Sequence, residues 1–268
     1  MGEVVTINET DFIWMNGKPK GITHAVLFDA IGSDHIPAVV GGSLVKDSQP
    51  IGYMSSKHIA SSPHTLLGSL GFTGWPIFYG PDKNTIVIEV LTPAHISRDM
   101  SAQKNAWLFN YPPARDVARM LNDLGCESFC VLTSDAFDVR EGKGLDEPYI
   151  VKGEDIGKDD LEHESLQTLW GWLPAFMFAV EKVGAVVMIV PSHGHSMESK
   201  DFSDTAIKSA LLKLESLGFT CTGSMKRAKH LYERATSDTI EAAKMADDVI
   251  TKMRNKTRAS HYEGGMFG

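Results

Sequence analysis

The stretch "VPSHGHSMESKDFSD" gathers His193, His195, Glu198, Asp201 and Asp204. A His-x-His pair offers imidazole nitrogens to zinc, copper or iron, and nearby carboxylates complete such a shell or move protons. The stretch also follows the apolar run "AVVMIV", and open α/β sheets bind ligands at the carboxyl ends of their strands. No third ligand stands at a firm spacing from the pair. The expectation is therefore a polar loop rather than a metal centre, with Asp201 or Ser203 capping the helix that follows. Asp29, Asp34 and His35 in "FDAIGSDHIP" form a second acid–base group after a strand. Its glycines come too late for a GxGxxG phosphate cradle, and Ser33 or Asp34 fits better as a helix cap. "SSKHIASSPH" holds Ser, Lys and His close together, without the G-x-S-x-G of a nucleophile elbow. "GSLGFTG" places Gly68, Gly71 and Gly74 three apart, but lacks the Lys-Ser/Thr of a P-loop. The expectation from these groups is no catalytic residue, no metal and no cofactor.

The last residues suggest binding instead. In "SHYEGGMFG", Gly264 and Gly265 form a flexible tether. Met266, Phe267 and Gly268 then supply two apolar side chains and a carboxylate. Exposed apolar groups gain nothing in water, so the arrangement reads as a hook awaiting a pocket. A frayed end is the alternative.

Composition bounds the class. The chain has 268 residues, 43% hydrophobic and 22% charged, enough for one large domain with an appendage. Its 26 basic and 34 acidic residues leave a charge of −8 with no basic stripe, which argues against nucleic acid as a partner. Cys126, Cys130 and Cys221 form no CxxC, and the first two border an apolar run, so buried thiols in a reducing interior are expected. "MGEVVTINET" has the plan of neither a signal nor a transit peptide. The run "WGWLPAFMFAV" is too short and interrupted to span a bilayer. A cytoplasmic protein that binds no membrane is the expectation.

The elements that position these groups follow from periodicity. "EVVTIN", "FIWM", "THAVLFDAIG" and "PIGYM" read as strands, and "IPAVVGGSLVKDS" as a helix that uses Gly41 and Gly42 for close packing. "WPIFYG-PDKN-TIVIEVL" has the pattern of a hairpin. "PPARDVARMLNDLG" reads as an amphipathic helix with a Pro-Pro start and a stop at Gly125. The strand "SFCVLTS" follows, then a charged, Gly-rich excursion with a short strand near Tyr149 to Val151. "SLQTLWGWLPAFMFAVEKVG" reads as a helix kinked or split at Pro174, with Trp170, Trp172, Phe176 and Phe178 in core or subunit interface. "AVVMIVPS" has the continuous apolar run of a strand buried on both faces. "DFSDTAIKSALLKLESLG" reads as a helix with Ile207, Ala210, Leu211 and Leu214 on its inner face. Alternating helices and strands predict an α/β fold with a mixed, largely parallel sheet flanked by helices and a long C-terminal helix.

From 225 to 256 the chain is rich in Ala, Lys, Glu and Asp, without Pro or Gly. Tyr232, Thr239, Ala246 and Met253 fall seven apart, and Ala235, Ala242 and Val249 form a second seam. So thin a stripe needs a partner surface, either the parent domain or another subunit's helix. The division expected is a core domain at 1–222, a C-terminal helix at 223–258 and a flexible tail at 259–268.

"THAVLFDAIGSDHIPAVVGGSLVKDSQPIGYM" resembles the first βαβ unit of the proteasome assembly chaperone 2 family, and "AVVMIVPSHGHSMESKDFSDTAIKSALLKLESLG" is similar to its late strand–loop–helix unit. The resemblance covers roughly residues 20 to 220. The family's first turn, "PGIG", stands here as "DAIG". The resemblance implies a phosphorylase/hydrolase-like α/β core of archaeal type, no required cofactor and self-association. Some archaeal members carry a C-terminal hydrophobic-Tyr-any tripeptide that docks between subunits of the proteasome α-ring. Met266-Phe267-Gly268 looks like that tripeptide with Phe in the Tyr position. The function implied is a non-enzymatic, homo-oligomeric assembly chaperone or proteasome-binding protein. The alternative is a hydrolase or phosphorylase-like enzyme acting on a small molecule at the strand carboxyl ends, because such a fold also hosts catalysts.

Overall fold

The computed structural model describes residues 2–29, 35–47, 49–57, 74–90, 100–136, 148–152, 185–192 and 200–234. Nine strands among them form one sheet: β1 (Glu3–Ile7), β2 (Thr10–Trp14), β3 (His24–Asp29), β4 (Gly52–Ser56), β5 (Trp75–Tyr79), β6 (Thr85–Val90), β7 (Ser128–Ala136), β8 (Tyr149–Lys152) and β9 (Ala185–Ser192). Their spatial order is β1-β2-β4-β5-β6-β3-β7-β9-β8. β3 pairs in parallel with both β6 and β7, and β7 pairs in parallel with β9. All other pairings are antiparallel. The class is α/β with a mixed sheet, as its sequence predicts. The parallel part is the run β6-β3-β7-β9, and antiparallel pairings outnumber parallel ones.

Alternation along these strands divides the core in two. Ala25 and Leu27 of β3, Ile86, Ile88 and Val90 of β6, and Phe129 and Val131 of β7 face one side. Val26, Phe28, Val87, Cys130 and Leu132 face the other. Helix α2 (Met100–Asp123) covers the first side through Val117, Met120, Leu121 and Leu124. Helices α1 (His35–Ser43) and α3 (Lys200–Ser216) cover the second. From α3 it is Ile207, Ala210, Leu211 and Leu214 that turn inward, the face its periodicity predicts.

Both α2 and α3 end in the same way. Gly125 and Gly218 take φ of 83° and 89°, a left-handed conformation that costs glycine little. The following residue reaches back to close the helix, Cys126 N to Leu121 O at 3.0 Å and Phe219 N to Leu214 O at 3.1 Å. The expected starts are less accurate. α2 begins at Met100, so Pro112 and Pro113 lie inside it rather than at its first turn. Each removes a backbone donor from the helix, and such an interior position is what a proline rule argues against. α3 begins at Lys200, which puts Asp201 and Ser203 within its first turn instead of at the capping position before it.

A polar clamp ties the β1–β2 turn to α2. The buried carboxylate of Asp116 accepts hydrogen bonds from Asn8 Nδ2 at 2.6 Å, Thr10 Oγ1 at 2.8 Å and Arg115 Nε at 3.1 Å. Asn8 holds φ of 53° in this turn.

The glycine expected to allow close packing does so. A Cβ on Gly41 would lie 2.3 Å from Phe28 Cδ1 and 2.7 Å from Phe28 Cβ. Alanine at 41 gains about 1 kcal/mol in helix propensity. It meets a fixed Cβ as well as a ring, however, and overpacking of this kind costs about 1–3 kcal/mol. Gly41→Ala should therefore lower the urea midpoint without changing the slope, and Phe28→Leu in the same chain should restore part of the loss. An unchanged midpoint would show that α1 shifts freely over the sheet.

Candidate functional site

The C-terminal segment is described as a helix over 224–234, enough to show how it is rooted. Gly223 turns the chain with φ of 72°, and Ser224 N bonds Cys221 O at 3.0 Å. Ala228 is fully buried in the second core, and Met225, Leu231 and Tyr232 pack against it. Arg227 bonds across the root. Its Nε donates to Ser43 O at the end of α1 at 2.6 Å, and its Nη2 donates to Thr222 O and Ser224 Oγ, both at 3.1 Å. A cation on the last carbonyls of a helix also meets the negative end of its dipole. Lys229 pairs with Asp204 of α3 at 3.3 Å. The helix thus starts fixed to its own domain by apolar packing and charged hydrogen bonds. Tyr232, the first residue of the expected heptad stripe, lies half-buried against its own core.

The rest of that stripe (Ala235, Thr239, Ala242, Ala246, Val249 and Met253) and the hook Met266, Phe267 and Gly268 lie outside the described residues. So do His193, His195, Glu198, Ser33, Asp34, Trp170, Trp172, Phe176, Phe178, Gly68 and Gly71. For Asp29, His35, Asp201 and Ser203 only the backbone is described. Asp204, once grouped with the histidines by sequence, faces Lys229. Lys57 of the Ser-Lys-His stretch pairs with Glu9. Gly74 packs its backbone on Met54, whose carbonyl oxygen a Cβ would approach to 2.3 Å.

The carboxyl ends of the parallel strands form the other place where chemistry could sit. The chain leaves β3 for α1 on one face and leaves β6 for α2 on the other. Adjacent strands whose connections diverge in this way open a crevice between them. Glu89, fully buried near the end of β6, and Asp29, its neighbour strand's last residue, stand at that edge. Among the described residues no group of three His, Cys, Asp or Glu could hold a metal.

The cysteines are buried and free, as the sequence suggests. Burial and then the charge of Glu215 push the Cys221 thiol up to about 12, against the pull of Arg227. Burial also raises the Cys130 thiol far above its ordinary value. Neither is a nucleophile at neutral pH, since the thiolate is the reactive form.

No family model matches the chain, and no curated protein matches it. Solved structures do. A protein of unknown function from Thermoplasma acidophilum matches with a TM-score of 0.59 at 10% identity, over 86% of this chain and 91% of that one. Pyrococcus furiosus PbaA, described as an archaeal homolog of proteasome-assembly chaperone, matches with a TM-score of 0.52 at 14% identity, over 88% of this chain and 99% of that one. The chain therefore has the α/β fold of an archaeal homologue of a proteasome-assembly chaperone, the fold its sequence resemblance implies. No described helix is long and apolar enough to cross a membrane.

Three polar links were not visible in the sequence: Asp116 to Asn8 and Thr10, Arg227 to Ser43, and Asp82 to Thr220. Asp82, in the β5–β6 turn, accepts from Thr220 Oγ1 at 2.9 Å and from Asn84 N and Thr85 N at 3.1 Å each. Burial pushes its carboxyl up, but the hydrogen bonds from Thr220, Thr85 and Asn84 outweigh it and hold the group below its ordinary 3.8. A depressed folded value means that the stabilisation is present above the unfolded value and is lost as pH falls through the folded one. Thr220→Val should move the Asp82 titration, followed by carboxyl NMR, up toward 3.8 and reduce stability at neutral pH but not below both values. An unmoved titration would mean that the turn's own backbone amides set the value.

Proposed function

We propose that this chain is a non-enzymatic, cytoplasmic, homo-oligomeric proteasome-binding protein of the assembly-chaperone kind. Met266-Phe267-Gly268 docks into pockets between subunits of the proteasome α-ring. The observation that carries this reading is the fold shared with PbaA over 99% of that chain. The rooted start of the C-terminal helix supports it, because it ties the segment that carries the tail to the core domain. Phe267 contributes most of the burial, on the order of 2 kcal/mol if fully enclosed. The Gly268 carboxylate orients the tail through a charge-assisted bond to a lysine in the pocket. One such tail binds weakly. Several on one oligomer, held together by the stripe from Tyr232 to Met253, raise each other's effective concentration.

A second reading, a hydrolase or phosphorylase-like enzyme for a small molecule, is supported by the buried Glu89 beside the β3–β6 crevice. Ester, amide and phosphate substrates distinguish the two: turnover that Glu89→Gln removes supports the enzyme, and no turnover removes this reading.

Native mass spectrometry with isolated α-rings tests the first reading. The intact protein should bind as an oligomer. Phe267→Ala, deletion of 266–268, or one residue added after Gly268 should each abolish binding and leave the oligomer intact. A free protein of 29.3 kDa at micromolar concentration would remove the oligomer, and unchanged ring binding by the truncated chain would remove the docking role.

A further inference from the structure

A groove of about 480 Å³ lies between the end of α1 and the first turns of the C-terminal helix. Gly42, Val45 and Leu231 form its floor, and Lys46, Lys226, Arg227 and His230 line its rim. No carboxylate is among these lining residues. The chain as a whole carries −8, so the gathering of Lys46, Lys226 and Arg227 runs against the protein's own charge.

The rim is divided in its duties. Arg227 is committed to Ser43, Thr222 and Ser224, and it fixes the two walls relative to each other. Lys46, Lys226 and His230 are exposed, and their side chains make no ion pair among the described residues. Lys229, elsewhere on the same helix, does have a carboxylate partner in Asp204. Among the described residues, Lys46 and Lys226 bring two charges without an ion pair to one groove, one from each wall.

We propose that this groove binds an extended acidic peptide segment of a partner protein. Lys226 and His230 are four residues apart on the helix, a rise of about 6 Å. Alternate side chains of an extended peptide stand about 6.7 Å apart on one side of the chain. Carboxylates at alternate positions therefore reach the Lys226 ammonium and the His230 ring together, while a single small anion reaches one of them. The volume lies in the range of sites that enclose small ligands or a few side chains, about 300–1,000 Å³. The inference uses none of residues 266–268, so failure of α-ring docking leaves it untouched.

Fluorescence polarisation on the full-length protein tests it. The probe is a fluorescein-labelled, amidated peptide of sequence Glu-Leu-Glu-Phe-Glu-Leu, with the Lys-for-Glu version as control. The acidic peptide should bind and the basic one should not, with affinity falling as salt rises because the contacts are exposed. Lys46→Glu with Lys226→Glu should weaken binding about tenfold or more, whereas Lys213→Glu, an exposed charge on α3, should change it less than about twofold. Lys226→Gln alone should give a smaller loss with the same salt trend, which separates lost charge from a misfolded double variant. Equal binding by the charge-reversed protein overturns the proposal. So does full competition by millimolar inorganic phosphate, which would make the groove a small-anion site. Binding to phosphatidylserine vesicles but not to the peptide would overturn it in favour of a membrane surface.

Discussion

The constraint on which this architecture depends is the position of β3. It pairs in parallel on both sides, so each residue from His24 to Phe28 has a strand neighbour to left and right. Parallel neighbours cannot be joined by a tight turn and require crossovers through helices. The crossovers from β3 and β6 go to opposite faces, which gives two cores instead of one. Ala25 and Leu27 belong to the first, Val26 and Phe28 to the second. The closeness of α1 to this strand, set by Gly41 on Phe28, then fixes where α1 ends. That end is what Arg227 grips, so the C-terminal helix inherits its position from the central strand.

What could be read from the sequence was local and apolar. The β5–β6 hairpin, the strand β9, the inner face of α3 and the role of Gly41 all depend on residues near each other in the chain or on simple periodicity. The start of α2 was not legible. Pro112 and Pro113 argue for a first turn, and only the wider fold carries the helix back to Met100. The polar links escaped for a different reason. Asp116 lies 106 residues from Thr10, and Arg227 lies 184 from Ser43. A single polar residue has no period, and nothing in its own surroundings names a distant partner.

The candidate site divides along the same line. The hook and most of the stripe are visible as residue types alone. The anchoring of the helix beneath them is a product of packing. Ala228 looks like any helical alanine, yet it is buried completely, and Tyr232 belongs to a heptad seam and also touches its own domain. The groove beside Arg227 could not have been listed from spacing at all, because Lys46 and Lys226 come from elements that meet only in the folded chain.

The two outer strands are short, five residues in β1 and four in β8. β8 matters more than its length suggests. Without it, β9 would present eight residues of "AVVMIVPS" as an open parallel border with free amides, the kind of template on which chains stack into fibrils. β8 runs against β9 through Tyr149–Lys152 and occupies the Val186–Ile189 part of that border. β8 precedes β9 in the chain, so the strand that covers this border is already made when β9 emerges. The cover for this apolar border is therefore available from the moment the strand exists, and four residues supply it.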